Sequence, residues 1–258
     1  MRERIAAAAG AASGAARARL LDEGGPLFLC DWRPTLFLHY AVDPGALRAR
    51  VPFPLDLRAG RAFVSLVAFT MVDARPPRGG RVAAFLARPC GTLEFLNVRT
   101  YVRHGGEPGI HFLSEWLPGR LPVLLGPRLF GLPCRPARVE YDHGTGTGTL
   151  RGEVAPGDAP GRIRWRAVVP EGAEPRTARP GGLAEFLCER YAAFTWKRGR
   201  AGVFRIWHEP WPLLPARAVI EEDGPLATTG GWLPSARFLG GQVSPGVGGV
   251  WVGPARRA

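Results

Sequence analysis

Most of the sequence consists of short apolar or alternating runs of the kind that form β-strands, separated by Gly- and Pro-rich turns. The run 61–72 is apolar on both faces, whereas 96–104 alternates polar and apolar residues. A Gly-Gly-Glu-Pro-Gly turn at 105–109 leads from the second run into 110–117, so these two runs predict a β-hairpin. Further strands are predicted at 137–143, 147–154, 162–169, 203–208, 217–221 and 249–252.

Helical features are confined to a few segments. The segment 43–50 begins with Asp43, a favourable N-cap, followed by a proline at the first turn. Apolar residues recur at helical spacing over 183–194. A third helix is predicted over 121–130, interrupted by Pro127. Strands outnumber helices, which predicts a mainly β, α+β fold.

The chain divides into an N-terminal extension and one domain. No composition break or long linker interrupts 27–254, so this region is predicted to be a single domain. Residues 1–26 begin MRERIAAAAGAASGAARARL, a composition that resembles a transit peptide but lacks the apolar segment of a secretory signal. Because this segment has little to bury, we expect a disordered extension of a bacterial protein.

Composition limits the classes of partner. The chain has 258 residues, of which 46% are hydrophobic, and no stretch approaches the ~18 uninterrupted apolar residues of a membrane span. The net charge of +12 comes from scattered arginines, with Lys197 as the single lysine. Without a basic stripe interleaved with aromatic residues, neither specific nucleic-acid binding nor a membrane partner is expected. A single lysine also excludes a phosphate-binding loop that ends in Lys-Ser or Lys-Thr.

Metal and cofactor signatures fail when their spacing is tested. The four cysteines, Cys30, Cys90, Cys134 and Cys188, form no C-x-x-C pair. His208-Glu209 cannot begin a zinc-binding helix, because Pro210 and Pro212 follow. We therefore expect no metal, no cofactor and no disulfide framework, and hence a protein of the reducing cytoplasm. The oligomeric state is left open, a homo-oligomer included.

Polar side chains on the strand 96–104 are the first candidate site. Successive strand residues alternate sides, so Asn97, Arg99 and Tyr101 share one face. If the hairpin places position 99 opposite position 115, Arg99 meets Glu115 across the sheet. This face is then either a solvated surface with an ion pair or the lining of a cavity, where Arg99 would bind a carboxylate or carbonyl oxygen.

Several blocks of the sequence resemble a known family. They are FLHYAVDPGALRARVP at 37–52, FLNVRTYVRHGGEPGIHFLSEWL at 95–117, GPRLFGLPCRPARVEY at 126–141, LAEFLCERYAAFT at 183–195 and FRIWHEPWPL at 204–213. Together they resemble the YqjF-like family of unknown function, DUF2071, and more distantly the acetoacetate-decarboxylase-like superfamily. The resemblance implies a single antiparallel, partly closed β-barrel around an apolar cavity, with two or three peripheral helices.

The sequence differs from the decarboxylases at the positions of their catalytic lysines. In the decarboxylases a G-R-E-x-x-G-x-P-K-K string supplies the Schiff-base lysine, and the analogous string GPRLFGLPCR at 126–135 has Cys134 and Arg135 at the two lysine positions. A thiol cannot form the iminium that drives decarboxylation, so that activity is not expected. Arg135 would lower the pKa of Cys134 if the two side chains met, or Cys134 is an inert buried residue. Lys197 follows a predicted helix, where a solvated lysine is ordinary.

The motif Trp207-His208-Glu209-Pro210-Trp211 is the second candidate site. The two tryptophans and the imidazole either line the mouth of a cavity or plug the barrel, with His208 satisfied by backbone. Two functions follow. One is a binding module for a small apolar carboxylate or carbonyl compound, held by residues among Asn97, Arg99, Tyr101, Glu115, Arg135, Trp207, His208 and Trp211. The other is an enzyme that uses Cys134, His208 or Glu115 as a general acid or base.

Overall fold

The computed structural model describes residues 2–77 and 92–258. Its strands are β1 Phe28–Val42, β2 Ala62–Arg75, β3 Thr92–His104, β4 Glu107–Leu117, β5 Cys134–Asp142, β6 Thr149–Pro156, β7 Ile163–Val168, β8 Ala192–Lys197, β9 Arg200–Trp207, β10 Leu214–Glu222, β11 Arg237–Ser244, β12 Val247–Val252 and β13 Arg256–Arg257. The α-helices are α1 Arg2–Asp22, α2 Pro44–Arg48, α3 Arg120–Leu129 and α4 Leu183–Cys188, with short 3-10 helices at Gly224–Thr229 and Leu233–Ser235. Within these two ranges, no helix has the length and apolar character needed to cross a membrane.

The strands form one large sheet that closes on itself. Its order is β11-β10-β7-β6-β5-β4-β3-β2-β1-β12-β9-β13, and β11 also pairs with β1. Strand β8 pairs with β4 and β9, which makes a second closure that shares β1 to β4 with the first. The pairings are antiparallel except for β4 with β5 and β4 with β8. The expected mainly β, partly closed barrel is therefore confirmed.

The shared strands β1 to β4 have a hydrophobic core on each face. Leu66 and Val98 belong to a first core, completed mainly by β6, β7, β10 and β11. Val67 and Phe112 belong to a second core, completed by α4, β9 and β12. A strand buried on both faces carries apolar residues at consecutive positions. This explains why the run 61–72 lacks alternation.

The predicted hairpin is confirmed, and its turn is shorter than 105–109. Strands β3 and β4 pair from His104↔Glu107 onward, so only Gly105 and Gly106 form the loop. Both glycines have positive φ, of 56° and 81°. A two-residue loop of this kind matches the twist of its strands, and only glycine adopts it without strain.

The prediction of a helix over 183–194 is correct for its first half and wrong for its second half. The helix α4 ends at Cys188, and β8 begins at Ala192. Phe194 enters the first core and Ala193 the second, so β8 is buried on both faces. A short, doubly buried strand has no alternation, and its apolar spacing cannot be distinguished from that of a helix.

The N-terminal segment also differs from the disorder expected for 1–26. Residues Arg2–Asp22 form α1, which packs against β9. Leu20 is buried, and Ser13 Oγ donates to the His208 carbonyl at 2.9 Å and accepts from Trp207 Nε1 at 3.0 Å. Buried Leu20 and the two hydrogen bonds of Ser13 hold the segment against the barrel, and its Ala-rich composition gives no indication of these contacts.

Candidate functional site

A cavity of about 320 Å³ lies on the second-core face of β1 to β4, beneath α3. Apolar side chains form most of its wall, including Phe28, Trp32, Phe37, Phe69, Phe95, Phe112, Leu125, Leu129, Phe130, Phe204 and Trp211. Five polar residues also line it, namely Thr35, Asn97, Arg99, Glu115 and Cys134. A mainly apolar cavity with a few polar groups is the usual form of a small-molecule site.

Strand register places the polar residues beside one another. Asn97 of β3 lies directly opposite Glu115 of β4, and Arg99 is two residues further along the same face. The two-residue turn sets Arg99 opposite Phe112, and a bulge between Val98 and Arg99 then sets Asn97 opposite Glu115. The predicted Arg99 to Glu115 cross-strand pair was therefore wrong. A loop over 105–109 would pair position 99 with position 115, whereas the loop of Gly105 and Gly106 shifts the register by three residues.

Arg99 is a buried cation with few partners. Its residue is 8% exposed, and its Nη2 donates to the Leu187 carbonyl of α4 at 3.0 Å. Within the described residues its Nε has no hydrogen-bond partner, and no carboxylate oxygen lies within 4.0 Å of the guanidinium. A buried guanidinium without an anion is costly. The cavity that it lines is where a compensating anion would fit.

Two further polar atoms lack partners in the same place. Thr35 Oγ1 and Asn97 Oδ1 are buried, and neither has a hydrogen bond within the described part of the chain. Buried polar groups in proteins are almost always hydrogen-bonded, and exceptions call for an explanation. With Arg99 Nε, three such atoms belong to residues that line one cavity.

Glu115 and Cys134 form a contact within this polar group. The Cys134 thiol donates to Glu115 Oε2, with sulfur and oxygen 3.5 Å apart. Burial raises the pKa of Glu115 to about 7, while the Cys134 hydrogen bond opposes that shift. Burial and the neighbouring carboxylate also raise the pKa of Cys134 above its ordinary value. At neutral pH the thiol is protonated, and the carboxyl group is the one that titrates.

Arg135 does not act on Cys134. Its Nε donates to Asp158 at 2.6 Å and its Nη1 to Thr228 at 2.7 Å, and its guanidinium lies over the Trp116 ring. Neighbouring residues of β5 face opposite ways, so Arg135 points away from the cavity that Cys134 lines. Of the two alternatives for Cys134, the one in which Arg135 lowers its pKa does not hold, because burial and Glu115 raise that pKa instead.

Tyr101 lies outside the cavity lining and shares a hydrogen-bond acceptor with Arg99. Its hydroxyl donates to the Leu187 carbonyl at 2.8 Å, the same oxygen that Arg99 binds. Ser65 Oγ lies 2.6 Å from this hydroxyl and 2.6 Å from His39 Nδ1, and His39 Nε2 lies 2.7 Å from Gln242. Sequence reasoning missed His39 and Ser65, because an isolated polar residue in an apolar strand carries no indication of its partner.

The aromatic motif contributes one residue to the cavity. Trp211 lines the cavity and stacks on Trp32, with ring centroids 5.6 Å apart and an interplanar angle of 11°. His208 is buried behind Trp211, beside the Glu209 carbonyl, and burial lowers its pKa to about 4. Trp207 is not part of the lining and bonds to Ser13 of α1. A neutral, buried His208 held by backbone agrees with the structural alternative for this motif.

Lys197 lies outside the cavity lining. Its Nζ is exposed and donates to the Arg128 carbonyl of α3 at 2.9 Å. Among residues 2–77 and 92–258, no cluster of three or more His, Cys, Asp or Glu could hold a metal ion. Cys30, Cys134 and Cys188 are free thiols. Cys90 lies outside the described residues.

Comparison with known sequences assigns the family. The family model for DUF2071, described as an uncharacterized conserved protein, matches residues 30–247. The chain belongs to the DUF2071 family. One DUF2071 relative is the uncharacterized protein YqjF of Bacillus subtilis (strain 168), which is 32% identical over 194 residues, or 73% of this chain and 76% of YqjF.

Solved structures agree with the fold of this DUF2071 chain. An acetoacetate decarboxylase from Legionella pneumophila superposes with a TM-score of 0.62 at 16% identity, covering 91% of this chain and 87% of the decarboxylase. The enduracididine biosynthesis enzyme MppR, complexed with pyruvate, superposes with a TM-score of 0.60 at 14% identity and 90% coverage of both chains. An acetoacetate decarboxylase-like enzyme from Sphingomonas wittichii RW1 gives 0.59 at 16% identity, covering 90% and 93%. The decarboxylase-like fold is thereby confirmed.

Proposed function

We propose that the protein binds a small, mainly apolar organic acid in the cavity, with the acid's carboxylate on Arg99. The observation that carries this proposal is the buried Arg99 guanidinium, which has one hydrogen bond and no carboxylate partner within the described residues, at the wall of an apolar cavity. A guanidinium binds a carboxylate through two parallel hydrogen bonds. Binding would supply the missing charge and partners together.

Cavity size and lining favour particular acids. The volume of about 320 Å³ suits a compact molecule, and the aromatic wall suits an aliphatic or aromatic side chain. The Thr35 hydroxyl can donate to a second oxygen, such as the carbonyl of an oxo acid, whereas Asn97 Oδ1 can only accept a hydrogen bond. The neighbour MppR was solved with pyruvate, a small oxo acid, which supports this class.

A thermal-shift screen of small carboxylates tests the proposal. We expect apolar 2-oxo acids and their parent carboxylic acids to raise the Tm of the protein in a concentration-dependent way, because a ligand that binds only the folded state stabilises it. The methyl ester of each acid is the matched control and should give little or no shift, since it lacks the negative charge. Equal shifts with acids and esters would contradict a carboxylate bound to Arg99.

Schiff-base chemistry is not part of the proposed function. The only lysine, Lys197, bonds to α3 outside the cavity, and Cys134 in the cavity cannot form an iminium. Treatment with acetoacetate or a 2-oxo acid plus sodium borohydride is therefore expected to leave Lys197 unmodified, as checked by peptide mass spectrometry. A reduced adduct on Lys197, or release of carbon dioxide from acetoacetate, would contradict this expectation.

A further inference from the structure

Glu115 is the only carboxylate among the described residues that line the cavity. It is 5% exposed, and Cys134 contacts its Oε2. No hydrogen bond in the described part of the chain involves its Oε1. Asn97 lies directly opposite Glu115 across the sheet, and Arg99 is two residues further along β3. A bound acid would thus have a cation at its carboxylate and a buried, partly free carboxylate beside it.

We propose that Glu115 transfers a proton to and from the carbon next to the carbonyl of a 2-oxo acid bound to Arg99, so that the protein catalyses enolisation. The inference rests on the proposed function, because it needs the acid to be bound through Arg99. It adds a reaction and narrows the ligand class to oxo acids that carry a hydrogen on C3.

The step balances without a cofactor. The ionised Glu115 carboxylate takes the proton from C3, the electrons of that C–H bond form the C2=C3 double bond, and the carbonyl electron pair moves onto oxygen as an enolate. A guanidinium that spans the carboxylate and the adjacent carbonyl oxygen stabilises this charge, and Arg99 Nε is a donor that has no other partner in residues 2–77 and 92–258. Return of a proton from Glu115 to C3 restores the oxo acid.

The surroundings of Glu115 suit a group that both accepts and returns a proton. Of the residues that the structure describes, the charged and titratable ones that share the cavity with it are Arg99 and Cys134. Its pKa of about 7 means that both protonation states are populated near neutral pH, which is where a general acid and base is most effective. The Cys134 thiol stays protonated and donates to Oε2, so it does not compete as the base.

Hydrogen–deuterium exchange of 4-methyl-2-oxopentanoate in D2O, followed by ¹H NMR at C3, tests the inference. We expect the wild-type protein to accelerate loss of the C3 signal over buffer alone. Glu115→Gln should reduce the protein-catalysed rate on the order of 100-fold or more, the usual contribution of a general base. Glu140→Gln is the matched control, because Glu140 is an exposed carboxylate on β5, and should exchange at the wild-type rate.

Parallel binding and pH measurements separate this inference from the proposed function. Binding of the same oxo acid by wild type without exchange above the buffer rate would overturn the enolisation and leave the proposed function intact. Absence of binding would overturn both. Below neutral pH the wild-type rate should fall as Glu115 becomes protonated, whereas Glu115→Gln should give no such profile. Glu115→Asp, which keeps the carboxylate, should recover part of the rate. Exchange that persists at the wild-type rate in Glu115→Gln would assign the base to another group.

Discussion

Arg99→Met is expected to abolish binding of small carboxylates while leaving the unliganded protein at least as stable as wild type. Loss of one partner of a buried, hydrogen-bonded charge pair costs roughly 2–5 kcal/mol, or about 30-fold to several thousand-fold in affinity. Unliganded Arg99 has no such partner within the described residues. Its replacement by an apolar side chain of similar length therefore removes a desolvated charge.

Isothermal titration with the best acid from the screen measures the affinity, and urea unfolding measures the stability. Arg138→Met is the matched control, since Arg138 is an exposed arginine of β5, and it should bind like wild type. If Arg99 only has a structural role, Arg99→Met will unfold at lower urea concentration and will still bind. Equal stabilisation of wild type and Arg99→Met by the same acids would remove Arg99 from the site.

Glu115→Gln is expected to change how stability depends on pH. The folded pKa of Glu115 is about 7, above its ordinary value of 4.5. A raised pKa means that the folded state holds the proton more tightly, so this contribution is fully present below pH 4.5 and is lost as pH rises to about 7. The shift corresponds to about 3 kcal/mol of the free energy of unfolding. Glutamine cannot ionise, so Glu115→Gln does not lose stability in this way as the pH rises.

Urea unfolding of both proteins between pH 5 and pH 8 measures the effect. The stability of Glu115→Gln relative to wild type should increase with pH and level off above about pH 7. The buried histidines His39, His143 and His208 have pKa values lowered by burial, and they act in the opposite direction. They are present in both proteins and cancel in the difference. A stability difference that is constant across this range would contradict the buried, titrating carboxyl group.

Local signals account for the parts of the fold that the sequence predicted. The glycine-rich turn after residue 104 correctly predicted the β3–β4 hairpin, although its loop has two residues and not five. An Asp followed by Pro specifies the start of α2, where Asp43 Oδ1 accepts from the Gly45 amide at 2.6 Å. Strong alternation over 96–104 correctly assigned Asn97, Arg99 and Tyr101 to one face. Each of these features depends on residues that are neighbours in the chain.

Residues distant in the chain decided what sequence reasoning missed. The bulge after Val98, the double burial of β8 and the anchoring of Ser13 beneath His208 all depend on strands and helices that meet only in the folded chain. The side that Arg135 faces follows from the parallel pairing of β4 with β5, where Glu115 aligns with Cys134. No local pattern encodes such a pairing.

For the candidate site too, some features follow from the sequence and others only from the tertiary structure. The sequence by itself determined that Asn97, Arg99 and Tyr101 share a face, that one lysine is available, and that a cysteine occupies position 134, because these are properties of residue identity and strand periodicity. Only the tertiary structure decided that Arg99 is buried without a carboxylate partner in the described chain, and that Glu115 contacts Cys134. Burial and partners depend on which strands close the barrel, and those contacts join residues far apart in the sequence.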